Sequence, residues 1–255
     1  MQNLITKSLR HAAAERGFRI LYACEAGSRA WGTPSPDSDY DIRFIYAHPL
    51  AWYLSIENHR DSFEMMLPQD LDFAGWELRK ALQLFATGNV SLYEQLLSPT
   101  RYFSGEQFHE RLLALLPRFF NKRKAIYSYL KTAEQSLQGL SDGKIGIKRF
   151  FYVVRPLLSC EWICRDNAMP PIELQRLVEI QTLPVDVKKT LCEIAEQKTT
   201  LIDNVSITVN PEVMEWIETV RTKIATTVEA IPAATENQDI TPLNKLFYEF
   251  ITKGV

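Results

Sequence analysis

The chain has 255 residues, 46% of them hydrophobic and 24% charged, with a formal net charge of -2. That balance excludes a chain that is disordered or coiled-coil throughout, allows one or two domains, and rules out a uniformly basic nucleic-acid binder. No apolar run reaches the ~18 residues of a membrane span, residues 1–18 lack a signal-peptide core, and Cys24, Cys160, Cys164 and Cys192 form neither a disulfide scaffold nor a CxxC zinc pair. A cytoplasmic protein with reduced thiols and no membrane partner is expected.

The first third alternates element types. Residues 4–16 read as an amphipathic helix stopped by Gly17, and residues 18–24 (FRILYAC) as a buried strand. EAGSRAWGTPSPDSD, rich in Gly, Pro and Ser, reads mainly as loop. Residues 40–46 (YDIRFIY), 59–67 and 71–76 read as strands, the last two separated by the break Pro68-Gln69-Asp70. From Glu77 onward strand signals nearly vanish. Helices are predicted over 76–86, 91–97, 106–137 (with Pro117 a kink or split), 145–165, 172–179, 186–198, 212–230 and 242–252. Residues 233–239 read as an exposed linker, and a domain boundary falls near 98–105. The expected fold class is α+β: a mixed-sheet domain over 1–100 with flanking helices, then a helical domain over 101–255.

The chemistry concentrates in Gly27-Ser28-Arg29-Ala30-Trp31-Gly32 and the following Ser38-Asp39-Tyr40-Asp41-Ile42-Arg43. Side chains two apart on a strand share a face, about 6.5–7 Å apart, so Asp39 and Asp41 offer two hard oxygen ligands suited to Mg²⁺ or Mn²⁺. Gly27 lets the backbone approach a ligand closely, and the next amides and the Ser28 hydroxyl suit phosphate oxygens. A Walker A reading fails for want of its lysine. A calcium-loop reading fails because Ile42 and His48 stand where glycine and glutamate are needed. A phospho-aspartate site would want its acids at the end of an apolar strand, and here the strand follows them.

A third acid would complete a two-metal site. Asp72, between Leu71 and Phe73, should point away from the core, with Asp70 and Glu64 as competitors. Arg43 lies on the acids' face, where it either holds phosphate or neutralises them. Arg79 and Lys80, near the helix start after the third acid, are further phosphate candidates. Trp31 either packs or stacks on a base.

Residues 118–155 carry nine basic side chains against two acidic ones, a local excess that suits a polyanion or a solvated helix face. Lys144, Lys148, Tyr152 and Arg155 recur at i, i+4, i+8 and i+11, one face of a helix, and could hold a triphosphate.

GSRAWG followed by SDYDIR resembles the signature of the DNA polymerase β-like nucleotidyltransferase superfamily. DLDFAGWELRKALQLFATGNVSLYEQLLSP (70–99) and FYVVRPLLSCEWI (151–163) make the chain more closely similar to its RlaP/YcgL-like branch, predicted nucleotidyltransferases associated with RNA repair. The resemblance implies that Gly27 and Ser28 bind phosphate, that Asp39 and Asp41 bind metal, and that Asp72 is the third acid. Glu77 fills the acidic place of the GW(D/E)LRK stretch, with no role implied. The implied function is metal-dependent transfer of an NMP from an NTP, with ATP expected, to a hydroxyl acceptor, an RNA or tRNA end being the leading one. AMPylation of a protein, nucleotidylation of a small molecule and an inactive nucleotide-binding regulator are the alternatives.

Overall fold

The computed structural model describes residues 1–105, 107–203, 205–232 and 238–252. They form two compact units, each assembled from separate stretches. Met1–Gly27, Asp39–Phe119 and the described residues from 238 onward make the first. Ser28–Ser38 and the described residues of 120–232 make the second.

The first unit opens with α1 (Gln2–Arg16). Its buried Ile5, Leu9 and Ala12 recur at helical spacing, and Gly17 (φ 67°) ends it in the left-handed conformation, donating its N–H to Ala13 O. Then come β1 (Arg19–Glu25), the single turn α2 (Gly27–Ala30), whose first residue closes this stretch of the unit, β2 (Tyr40–Ala47), α3 (Leu50–Tyr53), β3 (Ser62–Leu67), β4 (Leu71–Glu77), α4 (Leu78–Ala86), α5 (Val90–Leu96), β5 (Arg101–Ser104) and α6 (Phe108–Phe119). The five strands lie in the order β3-β4-β2-β1-β5. Only β2 and β4 run parallel. Between β3 and β4, Gln69 (φ 69°) and Asp70 (φ 56°) take the left-handed turn that the break at 68–70 anticipates.

Strand alternation sends Ile42, Phe44, Tyr46, Leu71 and Phe73 to one face, where they pack with Ile5 and Leu9 of α1 and with Phe18. Phe44 and Phe73 are each at most 1% exposed, and burial of such a ring stabilises by about 1.5–3 kcal/mol. Strict alternation along β4 leaves Asp72 on the opposite face from Leu71 and Phe73, as the sequence pattern predicts.

Residues 101–104, inside the stretch read as a boundary, form β5 and pair antiparallel with β1. Four residues are too few to show alternation, and the open edge of β1 supplies the pairing. The helix expected over 106–137 is two helices, the break lying at Phe120-Asn121, where Asn121 Oδ1 accepts from Lys124 N at 3.0 Å. Pro117 sits inside the first of them. Glu106, the expected first residue, and 233–237 of the expected linker lie outside the described residues.

The second unit is built on α7 (Lys122–Leu137) packed against α8 (Ile147–Asp166), with a two-stranded ribbon of β6 (Lys144–Gly146) and β7 (Ser206–Thr208), and with α9 (Leu174–Ile180), α10 (Val185–Lys198) and α11 (Pro211–Ala230) around them. Twelve of the twenty residues of α8 are buried, which marks it as the central helix. Its start corrects the expected helix over 145–165. The left-handed Asp142 (φ 50°) and Gly143 (φ 71°) turn the chain into β6, so Lys144 is a strand residue paired with Thr208 and is no part of a helix face with Lys148. The last helix, α12 (Thr241–Thr252), belongs to the first unit. Among the described residues no helix is long and apolar enough to cross a membrane.

Candidate active site

The parallel register of β2 and β4 sets Asp41 directly opposite Asp72. Neighbouring strands are about 4.8 Å apart, so the two carboxylates share a face at close range. Two such charges repel by about 3 kcal/mol at the effective dielectric of a protein surface. Arg43, two residues on and on the same face, relieves this. Its Nη2 donates to Asp41 Oδ1 at 2.7 Å and to Asp72 Oδ2 at 2.8 Å, and its Nη1 donates to Asp72 O at 3.0 Å. Arg43 thereby pairs with both acids. Asp39 precedes the first residue of β2 and is exposed. Among the described residues no group of three or more His, Cys, Asp or Glu side chains is gathered to hold a metal ion. Arg43 thus bridges two of the three expected acids, Asp41 and Asp72.

Gly27 adjoins this pair. It has φ 60°, and a Cβ built on it would stand 2.0 Å from Asp41 Oδ2. Ala26 N donates to Asp41 O at 2.8 Å. Glu25, the last residue of β1, is 3% exposed and accepts from Asp41 N at 2.7 Å and from the Tyr102 hydroxyl. Sequence reasoning missed Glu25. Its only signal is an acid closing an apolar strand, a position that is more often solvated. Here it fixes the backbone that presents Asp41.

Glu77 acquires a structural role. Only 1% exposed, it caps α4, accepting from Arg79 N at 2.9 Å and Lys80 N at 3.3 Å, and it also accepts a hydrogen bond from the Tyr53 hydroxyl at 2.5 Å. Burial, then the bond to Glu77, pushes the Tyr53 phenol well above its ordinary pKa. Lys80 is not beside the acids. Its cap residue Glu77 lies opposite Tyr46, five positions beyond the Asp41–Asp72 pair, which is about 16 Å of strand. Lys80 pairs instead with Asp61 at 3.2 Å.

The remaining candidates belong to the second unit. Ser28 is half-buried and donates to Ser38 Oγ at 3.0 Å. Lys148 forms an ion pair with Asp203 at 3.0 Å. Tyr152 meets Trp31 edge-on, with ring centroids 4.9 Å apart. Arg155 is 2% exposed, places its guanidinium 4.6 Å over Trp31, and donates from Nε to Ile172 O at 3.0 Å. Burial in these contacts takes Arg155 off the expected phosphate-binding surface and makes it a packing residue. Trp31 packs as well, and its carbonyl accepts from Leu174 N at 2.9 Å.

The family model described as "RlaP: RNA repair pathway DNA polymerase beta family" matches residues 1–249. The chain belongs to the RlaP family. Its fold class, a mixed five-stranded sheet with many helices, is the α+β arrangement expected from the sequence. Uncharacterized protein YcgL of Bacillus subtilis (strain 168) is 38% identical over 199 residues, covering 78% of this chain and 76% of that protein. A solved nucleotidyltransferase-like protein from Exiguobacterium sibiricum 255-15 aligns at 12% identity and a TM-score of 0.33, over 98% of this chain and 80% of its own. RlaP membership makes the chain a transferase of nucleotidyltransferase type in a family tied by its name to RNA repair.

Proposed function

We propose that this RlaP protein transfers a nucleoside monophosphate from an NTP, ATP in the first instance, to a hydroxyl at an RNA end, the transfer chemistry residing in residues 1–100. The observation that carries the proposal is the Asp41–Asp72 pair with a cationic group seated between the two carboxylates. The Arg43 guanidinium occupies the place of a cation there, and both oxygens it bridges are hard donors, the type Mg²⁺ and Mn²⁺ take. Asp41 and Asp72, joined by Asp39, would hold the ion. When bound, it supplies Lewis acidity that offsets charge on the α-phosphorus and on departing pyrophosphate and acidifies the acceptor hydroxyl.

The chain's own groups do the rest. Gly27 and Ser28 take the polyphosphate. Arg43, once displaced from the carboxylates, offers its guanidinium donors to phosphate oxygens. Lys148 and Tyr152, in the basic stretch, draw the polyanion. The acceptor oxygen forms a bond to the α-phosphorus, the bond from that phosphorus to the bridging oxygen of pyrophosphate breaks, and the hydroxyl proton leaves to water. Free Cys24, Cys160, Cys164 and Cys192 fit the reducing cytoplasm as the compartment.

Incubation with α-labelled NTPs, Mn²⁺ or Mg²⁺ and pooled RNA tests this. Label should pass to RNA, and Asp41→Ala or Asp72→Ala should abolish the transfer. Label appearing only in protein or in a small molecule would overturn the RNA acceptor. Transfer that persists in an Asp39→Ala, Asp41→Ala double variant would overturn the site.

A further inference from the structure

The first turn of α4 carries two cations, Arg79 and Lys80, that the acid pair does not use. Cations there oppose the helix dipole, so helix stability gives no reason for them. Arg79 is exposed, and its guanidinium rests against two rings at once, 5.4 Å from the centroid of Tyr53 and 5.3 Å from that of Phe247 in α12. The rings meet edge-on, 5.3 Å apart, and make a corner that orients the side chain. Among the described residues no hydrogen bond occupies the guanidinium donors. Their fork suits a phosphate or a carboxylate.

Arg79 stands between two cavities of the first unit, and Gln83 shares both. One, of about 260 Å³, lies between α4 and α12, with Leu82, Ala86 and Leu243 as its apolar lining and Asn244 beside them. It falls below the ~300–1,000 Å³ of a drug-sized site and has room for a single flat ring system. The exposed amides of Gln83 and Asn244 offer donors and acceptors to the edge of such a ring. The other cavity, of about 200 Å³, is polar and is lined by Ser55, Asn58, His59 and Lys80. Lys80 pairs there with Asp61, but the two side chains are 38% and 50% exposed. So exposed a pair holds weakly, and a phosphate can replace the carboxylate. Of the other acids at this cavity, Glu77 is committed to the α4 amides and Glu57 is in solvent.

An anion fork with a base-sized apolar cavity on one side and a polar cavity on the other matches a chain of alternating phosphates and bases. An isolated phosphate would leave both cavities empty, and the carboxylates of an acidic peptide come with no flat ring. We propose that this corner binds single-stranded RNA, with Arg79 on a backbone phosphate, one unstacked base in the α4–α12 cavity and the adjoining sugar-phosphate beside Lys80. The proposal rests on the nucleotidyltransferase reading. It gives the acceptor strand a hold about 16 Å along the sheet from the Asp41–Asp72 pair.

The test is equilibrium binding of a short, labelled single-stranded RNA of mixed sequence to the full chain, measured across a salt series. Each phosphate contact on a single strand contributes about 0.7 to the slope of log affinity against log salt. Arg79→Ala should lower that slope by about one such contact and bind about tenfold more weakly, the worth of one charge-assisted hydrogen bond. Arg79→Lys, which keeps the charge and loses the fork, should keep the slope and lose part of the affinity. Asn244→Ala should weaken binding with the slope unchanged. Melting temperatures should stay near that of the wild type, because both side chains are exposed. RNA affinity and slope left unchanged in Arg79→Ala overturn the proposal. So does full displacement of the RNA by AMP or by a glutamate-rich peptide, which would give the corner to a free nucleotide or to a protein. A wild-type chain that binds no RNA overturns this proposal and the RNA acceptor together. Arg79-dependent binding in a chain that transfers no label from any NTP supports the proposal and overturns the transfer reading alone.

Discussion

Asp41 Oδ2 lies where a side chain on Gly27 would begin, 2.0 Å from the position of a Cβ there. The same glycine has φ 60°, which costs an L-residue roughly 1–2 kcal/mol. Gly27→Ala therefore meets two obstacles, and the easier adjustment is displacement of the Asp41 carboxylate from Arg43. A misplacement of about 1 Å at a reacting centre costs on the order of 100-fold in rate. Nucleotidyl transfer should fall by that factor while the melting temperature drops by only a few degrees. Paired activity and melting measurements check this, and an unchanged rate would detach Gly27 from the site.

Arg43 holds the two acids together in a way an ion could replace. Arg43→Ala should destabilise the metal-free chain, because Asp41 and Asp72 then face each other without the guanidinium that bridges them. Mn²⁺ should raise its melting temperature more than that of the wild type, having no guanidinium to displace. At 100 times the dissociation constant the gain is about 2.7 kcal/mol. Thermal melts across a Mn²⁺ titration report this directly. Flat curves for both proteins would count against a cation at this pair.

Glu77 stands in the acidic place of the family's stretch but acts as a cap. Glu77→Ala should cost about 2 kcal/mol, from the lost cap and the orphaned Tyr53 hydroxyl. Activity per folded molecule should remain, since Glu77 lies five strand positions from Asp72. Urea unfolding beside single-turnover rates separates the two effects.

Lys198, 1% exposed, donates to Asp203 Oδ1 at 2.8 Å. Burial alone would raise the Asp203 carboxyl, but the bonds from Lys198, Ser35 and Lys148 outweigh it and lower the group from 3.8 to about 2 in the folded chain. A depressed carboxylate stabilises fully above its unfolded pKa and loses that contribution as pH falls through the folded one. The window is thus about pH 4 down to 2. Removing one partner of a buried ion pair costs about 3 kcal/mol, so Asp203→Asn should be weaker than wild type by that order at neutral pH. The gap should narrow as acid is added through the window. Circular dichroism during acid titration of both proteins measures it, and a gap that stays constant would show that the charge of Asp203 is not responsible.

Features written into contiguous residues were legible from the sequence: the glycine stop at Gly17, the turn at 68–70, and Asp72 set out of the core by Leu71 and Phe73. β5 was not, because Arg101–Ser104 is a strand only by virtue of β1's open edge. The buried state of Arg155 was hidden too, since helical spacing shows which residues share a face but not what covers that face. Asp203 gave no local sign at all. It meets Ser35 across 168 residues of chain, and nothing near either residue announces the other. Glu25 illustrates a third kind of blindness: a carboxylate at a strand end looks solvated until its acceptor atoms are found occupied by Asp41 N and Tyr102.

The turn at Pro68-Gln69-Asp70 contributes no reactive group, yet the carbonyl of Asp70 receives Tyr40 N at 2.8 Å and so begins the β2–β4 ladder. That bond sets which residue of β4 stands opposite Asp41. One amino acid inserted here would shift the strand by a single step and, because side chains alternate, rotate Asp72 into the greasy interior while Leu71 or Phe73 surfaced in its stead. Loop length at this corner is accordingly as strict a requirement for the proposed transfer as the acids themselves.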